Sequence, residues 1–461
     1  MNPGHMDVME TTNAPDPGAV HDDAHRVARH HHVARAGQVA CVLVGLAWLV
    51  VLGVYLGKRI VLSPDSVNNY AHVWWIAASI WHRSTLPWSM PVLGHGEAVS
   101  YPYGIVNWTT AALLWPLLGN WAITLWTALG AVGCIVATFV AFPELRRGWW
   151  AAGVLANPAI ILALLFGQQT FEWAAMLLLF GIACWRRKRP LAAALLVGLG
   201  QANHPAVVLP IGIILVAVWW RYETDRRNLL KWYSLSLLIS LPAAVVVFIS
   251  PAYEDSSTRD RVVNFFGTLA PRILIIAIPL TFLLLRRTRW AAIAPLALAI
   301  SLAANLLLQD PVHANLAWRS LRRRPDLVAV DQFMRSPEFR PGRTYRILRG
   351  ADSKLGMYAV LLGGGRLDSE FFPESADWEN FHSLRAYEAV LCRHRVDEVV
   401  DFATYDDTRH TNEHRELDAL EHDPNAIVHI RSIARTPAYE AFSVDRTSCD
   451  LPKERASAPS G

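Results

Sequence analysis

The sequence is poor in charged residues. Asp, Glu, Lys and Arg make up 18% of its 461 residues, whereas 53% are hydrophobic and 19 are Trp. Soluble proteins carry about a quarter charged residues, so this composition indicates a membrane protein. Trp favours the headgroup region of a bilayer, which points the same way. The net charge of +4 is too small to predict binding to nucleic acid.

The N-terminal segment lacks the early apolar core of a cleavable signal peptide. Residues 1–35 are polar and contain Pro, Asp and a run of His. We therefore expect them to form a disordered cytoplasmic tail.

Long apolar runs follow this tail. A transmembrane helix needs about 20 mainly apolar residues, and the sequence predicts about nine such helices. They lie at 38–57, 121–142, 149–166, 170–185, 232–249, 269–285 and 290–308, and a polar turn at 200–205 divides the run 190–220 into two more. The run 105–118 is short and contains Asn107 and Pro116. This favours a re-entrant or interfacial helix, and whether it crosses the membrane stays open.

The basic residues predict the orientation. Clusters of Arg and Lys occur at 26–35, 146–147, 186–189, 221–231 and 286–289. If 105–118 does not cross, all of them lie in the cytoplasm, as the positive-inside rule expects. The loop 62–104 and everything after residue 308 are then extracytoplasmic.

The C-terminal part has the composition of a soluble domain. Strands are predicted at 343–348, 397–403, 426–433 and 439–444, and helices at 326–335, 352–362, 375–394 and 412–422. Cys392 and Cys449 lie here and pair only if this part is outside the cytoplasm, which the sequence leaves open.

The predicted fold class is thus an α-helical polytopic membrane protein with a C-terminal extracytoplasmic α/β domain. Its domains are the tail 1–35, a transmembrane domain 36–308 with the large first extracytoplasmic loop 62–104, the α/β domain 309–451 and a disordered tail 452–461. We expect a multi-pass protein of the cell's inner or plasma membrane, with its N-terminus in the cytoplasm.

The loop after the first apolar run contains the strongest candidate for chemistry. Asp65 lies close to the predicted membrane surface, where carboxylates are rare unless they are used or neutralised. Two other roles for Asp65 remain open, which are capping the following helix and pairing with Arg83. His72 and Glu97 lie in the same loop.

The loop resembles a known family. The resemblance rests on Asp65, His72, Leu86-Pro87-Trp88, 94–97 and Tyr101-Pro102-Tyr103-Gly104, and it continues at Asn157-Pro158, 167–169 and 203–205. These features are similar to GT-C-type glycosyltransferases, integral membrane enzymes that take sugars from polyprenyl-phosphate carriers. Many members have an acidic pair in the first loop, whereas Ser66 follows Asp65 here. A second acid would have to be Glu97 or Glu172.

The resemblance implies roles for particular residues. Asp65 would be the general base that takes a proton from the acceptor hydroxyl, and the product anomer would be inverted. Groups that could bind the lipid phosphate are His72, Gln168, Gln169, His204 and Arg272. Trp75 could stack on a sugar or anchor its helix at the interface. No spacing such as HExxH predicts a metal site, which leaves a divalent metal open.

Two other functions remain possible on the sequence. One is a lipid or sugar transporter or flippase-like carrier, although such proteins usually show internal repeats and polar groups near the midplane. The other is a catalytically silent membrane relative. The implied partners are the bilayer, a polyprenyl-phosphate sugar and a glycan, lipid or protein acceptor, and protein partners stay open.

Thiol labelling from outside the cell tests this topology. Single cysteines introduced at Ser100 and at Ser336 should both react with a membrane-impermeant reagent, because both positions are predicted to be extracytoplasmic. Protection of both positions would contradict the predicted orientation.

Overall fold

The computed structural model has a helical part followed by a domain with a β-sheet. It describes residues 17–57, 66–85, 89–91, 98–100, 104–221, 223–249, 271–286, 293–308, 327–348, 356, 359–360, 363–367, 383–402 and 412–449.

The helical part consists mainly of apolar helices. Its described helices are α1 (Pro17–Leu56), α2 (Ser66–Arg83), α3 (Ile105–Leu113), α4 (Trp115–Leu118), α5 (Trp121–Ala141), α6 (Gly148–Leu155), α7 (Pro158–Phe166), α8 (Gln169–Arg186), α9 (Pro190–Asn203), α10 (Pro205–Trp220), α11 (Arg226–Ile249), α12 (Leu274–Arg286) and α13 (Ala294–Leu308). A 3-10 turn lies at Pro143–Leu145, and β1 (Ser89–Pro91) pairs antiparallel with β2 (Ala98–Ser100).

Several of these helices are suited to a membrane. Within the described residues, three stretches are long and apolar enough to cross one, at His32–Leu56, Trp121–Ala141 and Gly148–Phe166. Shorter apolar helices lie at Pro190–Asn203, Val207–Trp220, Leu274–Arg286 and Ala294–Leu307. The predicted apolar helices and the C-terminal domain with a β-sheet are confirmed. The number of spans and their orientation stay predictions.

The first helix begins earlier than predicted. α1 starts at Pro17, so residues 17–35 of the predicted tail 1–35 are helical. Residues 1–16 lie outside the described residues, and the domain bounds stay a prediction. Proline suits the first position of a helix because its φ is already helical. No further proline follows until Pro64, so nothing interrupts the helix before the apolar run.

A proline divides the span predicted at 149–166. Pro158 has no backbone N–H and cannot continue the helix before it, so α6 ends and α7 begins here. Asn157 caps the break: its Oδ1 accepts a hydrogen bond from the Ala159 N–H at 3.0 Å. Its Nδ2 donates to the Leu274 carbonyl at 3.2 Å. The predicted single helix is therefore two short helices joined by a side-chain cap.

Small residues set the spacing of the packed helices. α8 packs against α5 and α9, and α6 packs against α1 and α13. A Cβ at Gly133 of α5 would overlap the Sδ of Met176 on α8. A Cβ at Gly153 of α6 would lie 2.9 Å from the backbone of Ala297 on α13. Close helix approach of this kind needs residues without side chains.

The C-terminal part contains a mixed five-stranded sheet. Its strands are β3 (Thr344–Ile347), β4 (Arg366–Leu367), β5 (Glu398–Phe402), β6 (His429–Arg435) and β7 (Tyr439–Asp445) in the order β4-β3-β5-β7-β6, and its helices are α14 (Leu327–Arg335), α15 (Leu384–Arg393) and α16 (Asn412–His422). β3 is parallel to β4 and β5, and β7 is antiparallel to β5 and β6. The predicted strands overlap β3, β5, β6 and β7. Strand β4 was missed because two residues carry no pattern. Most of the predicted helix 352–362 lies outside the described residues.

Helices cover both faces of this sheet. Phe333 of α14 meets Tyr345, Phe402 and Tyr439 edge-on on one face. On the other face, side chains of α15 and α16 cluster with Phe442 of β7. Successive strand residues point to opposite faces, so one strand can serve both layers.

A buried ion pair joins the sheet to α16. The Nε of Arg346 on β3 donates to Oε1 of Glu413 at 2.9 Å, and Nη2 donates to Oε2 at 3.0 Å. The Tyr387 hydroxyl adds a bond to the same Oε1 at 3.3 Å. Paired bonds of this geometry offset the cost of burying two charges.

A disulfide closes the domain. Cys392 at the end of α15 is bonded to Cys449, after β7. The structure therefore pairs the two cysteines whose pairing the sequence left open.

Glu398 is a buried acid at the start of β5. The Nη1 of Arg343 lies 3.7 Å from its Oε1, and its Oε2 has no hydrogen-bond partner within the described chain. Burial raises the pKa of Glu398 to about 7, and the charges of Arg343 and Arg340 offset only part of this effect. The folded domain therefore holds a proton that the unfolded chain releases at lower pH.

Glu398→Gln should remove a pH dependence of domain stability. Because the folded pKa is raised, the wild-type domain is most stable below the unfolded pKa and loses stability as pH rises to about 7. The neutral amide escapes this loss, so the variant should be more stable than wild type at pH 8 by on the order of 2–3 kcal/mol.

Calorimetry of the full chain in detergent between pH 5 and 8 measures this difference. Glu338→Gln is the control, because hydrogen bonds from Ser336 lower the pKa of Glu338 and its removal should not stabilise the domain at high pH. An equal stability gap between wild type and Glu398→Gln at both ends of the range would contradict the prediction.

Candidate functional site

Three helix N-termini meet at one end of the helical part. Gln168 immediately precedes α8, His204 precedes α10, and Arg272 lies just before α12. The Nε of Arg272 donates to Oε1 of Gln168 at 3.2 Å. The structure thus brings together three of the residues predicted to bind a lipid phosphate.

Phe171 lies at the centre of this group. The Arg272 guanidinium carbon is 5.7 Å from the Phe171 ring centroid, which is a cation–π distance. The His204 ring meets Phe171 edge-on, with centroids 6.2 Å apart. We call Gln168, Phe171, His204 and Arg272 the Phe171 cluster. Sequence reasoning missed Phe171, because one Phe in an apolar helix gives no signal.

The positive charge of the Phe171 cluster comes from Arg272, whose guanidinium is a permanent cation suited to phosphate oxygens. The helix dipoles add little to it. The C-terminus of α7 adjoins the N-terminus of α8, and the C-terminus of α9 adjoins that of α10, so their opposite partial charges offset each other.

Asn69 connects α2 to this region. Its Nδ2 donates to the Gly167 carbonyl at 2.6 Å, and its Oδ1 accepts from Trp108 Nε1 at 3.0 Å. Asn203 makes a second connection at the end of α9. Its Oδ1 accepts from the Val106 N–H at 3.0 Å, and its Nδ2 donates to a backbone carbonyl of α8 at 2.9 Å. Buried amides therefore join the ends of α2, α3, α8 and α9.

His72 lies against this network. Its ring is buried and stacks on Trp108, with centroids 3.8 Å apart and planes at 13°. Gly104 makes room for Trp108: a Cβ there would lie 2.6 Å from the indole ring and 2.8 Å from Thr170. Gly104 also has a φ of 75°, which favours glycine. The predicted His72 is thus beside the cluster's supporting network rather than in the cluster.

Gln169 faces the protein interior instead of a ligand. It is fully buried, and its Nε2 donates to the Ile123 carbonyl at 3.2 Å. Its side-chain amide lies 2.9 Å from that of Asn107. The prediction that Gln169 binds phosphate is corrected, because its amide is used to pack α8 against α3 and α5.

Glu172 is also buried. Its side chain is 0% exposed, and neither carboxylate oxygen has a hydrogen-bond partner in the described part of the chain. It faces α5, where a Cβ at Gly130 would lie 3.0 Å from its Oε2. The Sγ of Cys134 contacts its backbone carbonyl at 3.0 Å. A general base must reach the acceptor hydroxyl, and this burial keeps Glu172 from doing so.

The remaining predicted residues lie elsewhere or outside the described chain. The ring centroid of Trp75 on α2 lies 5.3 Å from the Arg83 guanidinium carbon. This contact suits an anchor at the membrane interface. Asp65 and Glu97 are outside the described residues. Among the side chains that the structure does describe, no group of three or more His, Cys, Asp or Glu is arranged to hold a metal ion.

Comparison with solved structures finds matches of low similarity. The archaeal oligosaccharyltransferase AglB from Archaeoglobus fulgidus, in complex with an inhibitory peptide and a dolichol-phosphate, gives a TM-score of 0.47 at 12% identity over 88% of this chain and 75% of that one. ArnT from Cupriavidus metallidurans, bound to undecaprenyl phosphate, gives 0.47 at 15% identity over 89% and 99%.

A further match comes from the same archaeon. The apo form of the Archaeoglobus fulgidus oligosaccharyltransferase gives a TM-score of 0.46 at 11% identity over 80% of this chain and 70% of that one. No family model and no curated protein matches the sequence.

Gly104→Ala should destabilise the protein more than Gly342→Ala. Both glycines have positive φ, at 75° and 83°, so both substitutions cost about 1–2 kcal/mol of backbone strain. Only at Gly104 does the new methyl collide with Trp108 and Thr170, whereas nothing lies within 4 Å at Gly342. Overpacking adds about 1–3 kcal/mol.

Thermal unfolding in detergent measures the comparison, with Gly342→Ala as the matched control. Equal unfolding midpoints for the two variants would show that Trp108 is not held tightly against Gly104.

Proposed function

We propose that the chain is a membrane glycosyltransferase that moves a sugar from a polyprenyl-phosphate carrier to an extracytoplasmic glycan, lipid or protein acceptor. The observation that carries this proposal is the Phe171 cluster, in which Arg272 lies beside Gln168, Phe171 and His204 at one end of an apolar helical body. A lipid phosphate needs both parts: a cationic site for its headgroup and apolar surroundings for its chain.

The Phe171 cluster would bind the phosphate of the donor. The Arg272 guanidinium lowers the energy of the negative charge that grows on the phosphate as it departs. His204 adds a ring nitrogen near the same point, and Gln168 orients the guanidinium through its Oε1. With the donor bound in this way, the site also needs a general base that accepts the proton of the acceptor hydroxyl.

Asp65 is our choice for that base. It immediately precedes Ser66, the first residue of α2, and α2 is bonded through Asn69 to the turn that carries Gln168. The acceptor oxygen attacks the anomeric carbon as the bond from that carbon to the phosphate oxygen breaks. The acceptor proton passes to the Asp65 carboxylate, and the single displacement inverts the anomer.

A second acid, if the reaction uses one, is Glu97 rather than Glu172. Glu97 belongs to the same loop as Asp65, whereas the Glu172 carboxylate is buried against α5. Two acids of the loop could also hold a divalent metal, since carboxylate oxygens are suitable ligands.

We assign this site to the outer face of the inner or plasma membrane, with 36–308 as the transmembrane domain and 309–451 as the extracytoplasmic domain. The charge distribution of the loops supports this orientation. The disulfide between Cys392 and Cys449 supports it independently, because disulfides persist in oxidising compartments.

Substitution of Asp65 should abolish transfer without abolishing binding. Asp65→Asn and Asp65→Ala should each lower the transfer rate by about 100-fold or more, because general-base catalysis contributes 10²–10⁴-fold. Asp65→Asn should still bind undecaprenyl phosphate like wild type. Arg272→Gln should weaken that binding by about tenfold or more, because bonds to a charged group contribute about 1.5–3 kcal/mol.

Transfer is measured in membranes with a panel of radiolabelled polyprenyl-phosphate pentoses and hexoses, and binding by native mass spectrometry. Asp225→Asn is the matched control, since Asp225 precedes α11 just as Asp65 precedes α2 but belongs to a predicted cytoplasmic loop. Transfer that persists in both Asp65 variants would remove Asp65 as the base. Lipid-phosphate binding with no transfer from any donor would favour a carrier or an inactive relative.

A further inference from the structure

Asn69 binds two elements at once. Its Nδ2 donates to the Gly167 carbonyl at 2.6 Å, and Trp108 Nε1 donates to its Oδ1 at 3.0 Å. The residue is 3% exposed, so water does not compete for these bonds. A single side chain therefore fixes α2 both to α3 and to the turn between α7 and α8.

The turn held by Asn69 leads directly into the Phe171 cluster. Gly167 ends α7 with a φ of 69°, and Gln168 follows it. Since Oε1 of Gln168 accepts the bond from Arg272 Nε, moving the Gly167 carbonyl also moves the partner of the guanidinium.

Asp65, the proposed base, directly precedes the helix α2 that Asn69 holds. Asp65 is covalently joined to Ser66, and Asn69 follows Ser66 within the first turn of α2. Ser66 is itself buried, at 3% exposure. The hydrogen bonds of Asn69 thus hold the first turn of α2 in place. Ser66, the residue to which Asp65 is covalently joined, belongs to that turn.

We propose that Asn69 is a positioning residue that fixes the Asp65 end of α2 relative to the Phe171 cluster. This inference rests on the proposed function, since it concerns the geometry between the base and the phosphate site. Asn69 touches neither substrate nor reacting atoms. Its effect is on rate, because a misplacement of about 1 Å can cost about 100-fold in catalysis.

Asn69→Ala is compared with Asn305→Ala. Asn305 is a matched control: it is also a buried amide, and its Nδ2 donates to the backbone carbonyls of Ala156 and Ser301, both at 2.8 Å. Both variants should lose similar thermal stability. Asn69→Ala should lower kcat by about tenfold to a hundredfold with KM changed less than about threefold, whereas Asn305→Ala should keep kcat within about twofold.

Asn69→Asp adds a pH readout. A protonated carboxyl can donate to the Gly167 carbonyl as the amide does, and an ionised one cannot. The ratio of its kcat to that of wild type should therefore rise by about tenfold as pH falls from 8 to 5, since a lost bond in a charged setting is worth a factor of this size. A ratio that does not change with pH would overturn the role of this bond.

A thiol readout makes the inference independent of transfer. A cysteine introduced at Ser66 should react with a maleimide about tenfold faster when combined with Asn69→Ala than with Asn305→Ala, because the first turn of α2 then opens locally. If no donor supports transfer in wild type, the proposed function fails and this labelling still tests Asn69. Equal kcat losses in the two alanine variants, or unchanged protection at Ser66, would overturn the proposal.

Discussion

Every amide buried in an apolar helical body must find its partner within the protein, because neither lipid nor packed hydrocarbon supplies one. Asn69 and Asn203 meet this requirement with directional hydrogen bonds between helix ends. Apolar packing alone would let these ends slide over one another at little cost. The amides remove that freedom at the end of the body where Gln168, His204 and Arg272 lie, so the geometry of the candidate site depends on them.

The distribution of charge in the helical part separates two kinds of polar group. Arg272 lies beside the Gln168 amide and the face of the Phe171 ring, where it is a permanent positive charge. Glu172 directly follows Phe171 in the sequence. Its side chain packs against α5 and does not belong to the Phe171 cluster. Phe171 and Glu172 thus have different surroundings, because successive residues of a helix point in different directions.

Sequence reasoning worked where one local pattern decides the structure. The helix predicted at 412–422 has the observed bounds of α16. The polar turn predicted at 200–205 contains the observed break, although α9 continues to Asn203 and only His204 separates it from α10. Asn69 escaped notice, because its partner Gly167 is 98 residues away and an isolated Asn has no periodicity. Gln169 was misjudged for a related reason: an amide at a helix end reads alike in sequence whether it faces a ligand or another helix.

The length of α1 has a mechanical consequence. A helix of 40 residues is about 60 Å long at 1.5 Å per residue, which is twice the hydrocarbon thickness of a bilayer, about 30 Å. The apolar stretch begins only at His32, so the preceding turns continue the same axis as a rod of about 20 Å. Because the helix is continuous, a tilt of the apolar stretch also displaces the turns that precede it.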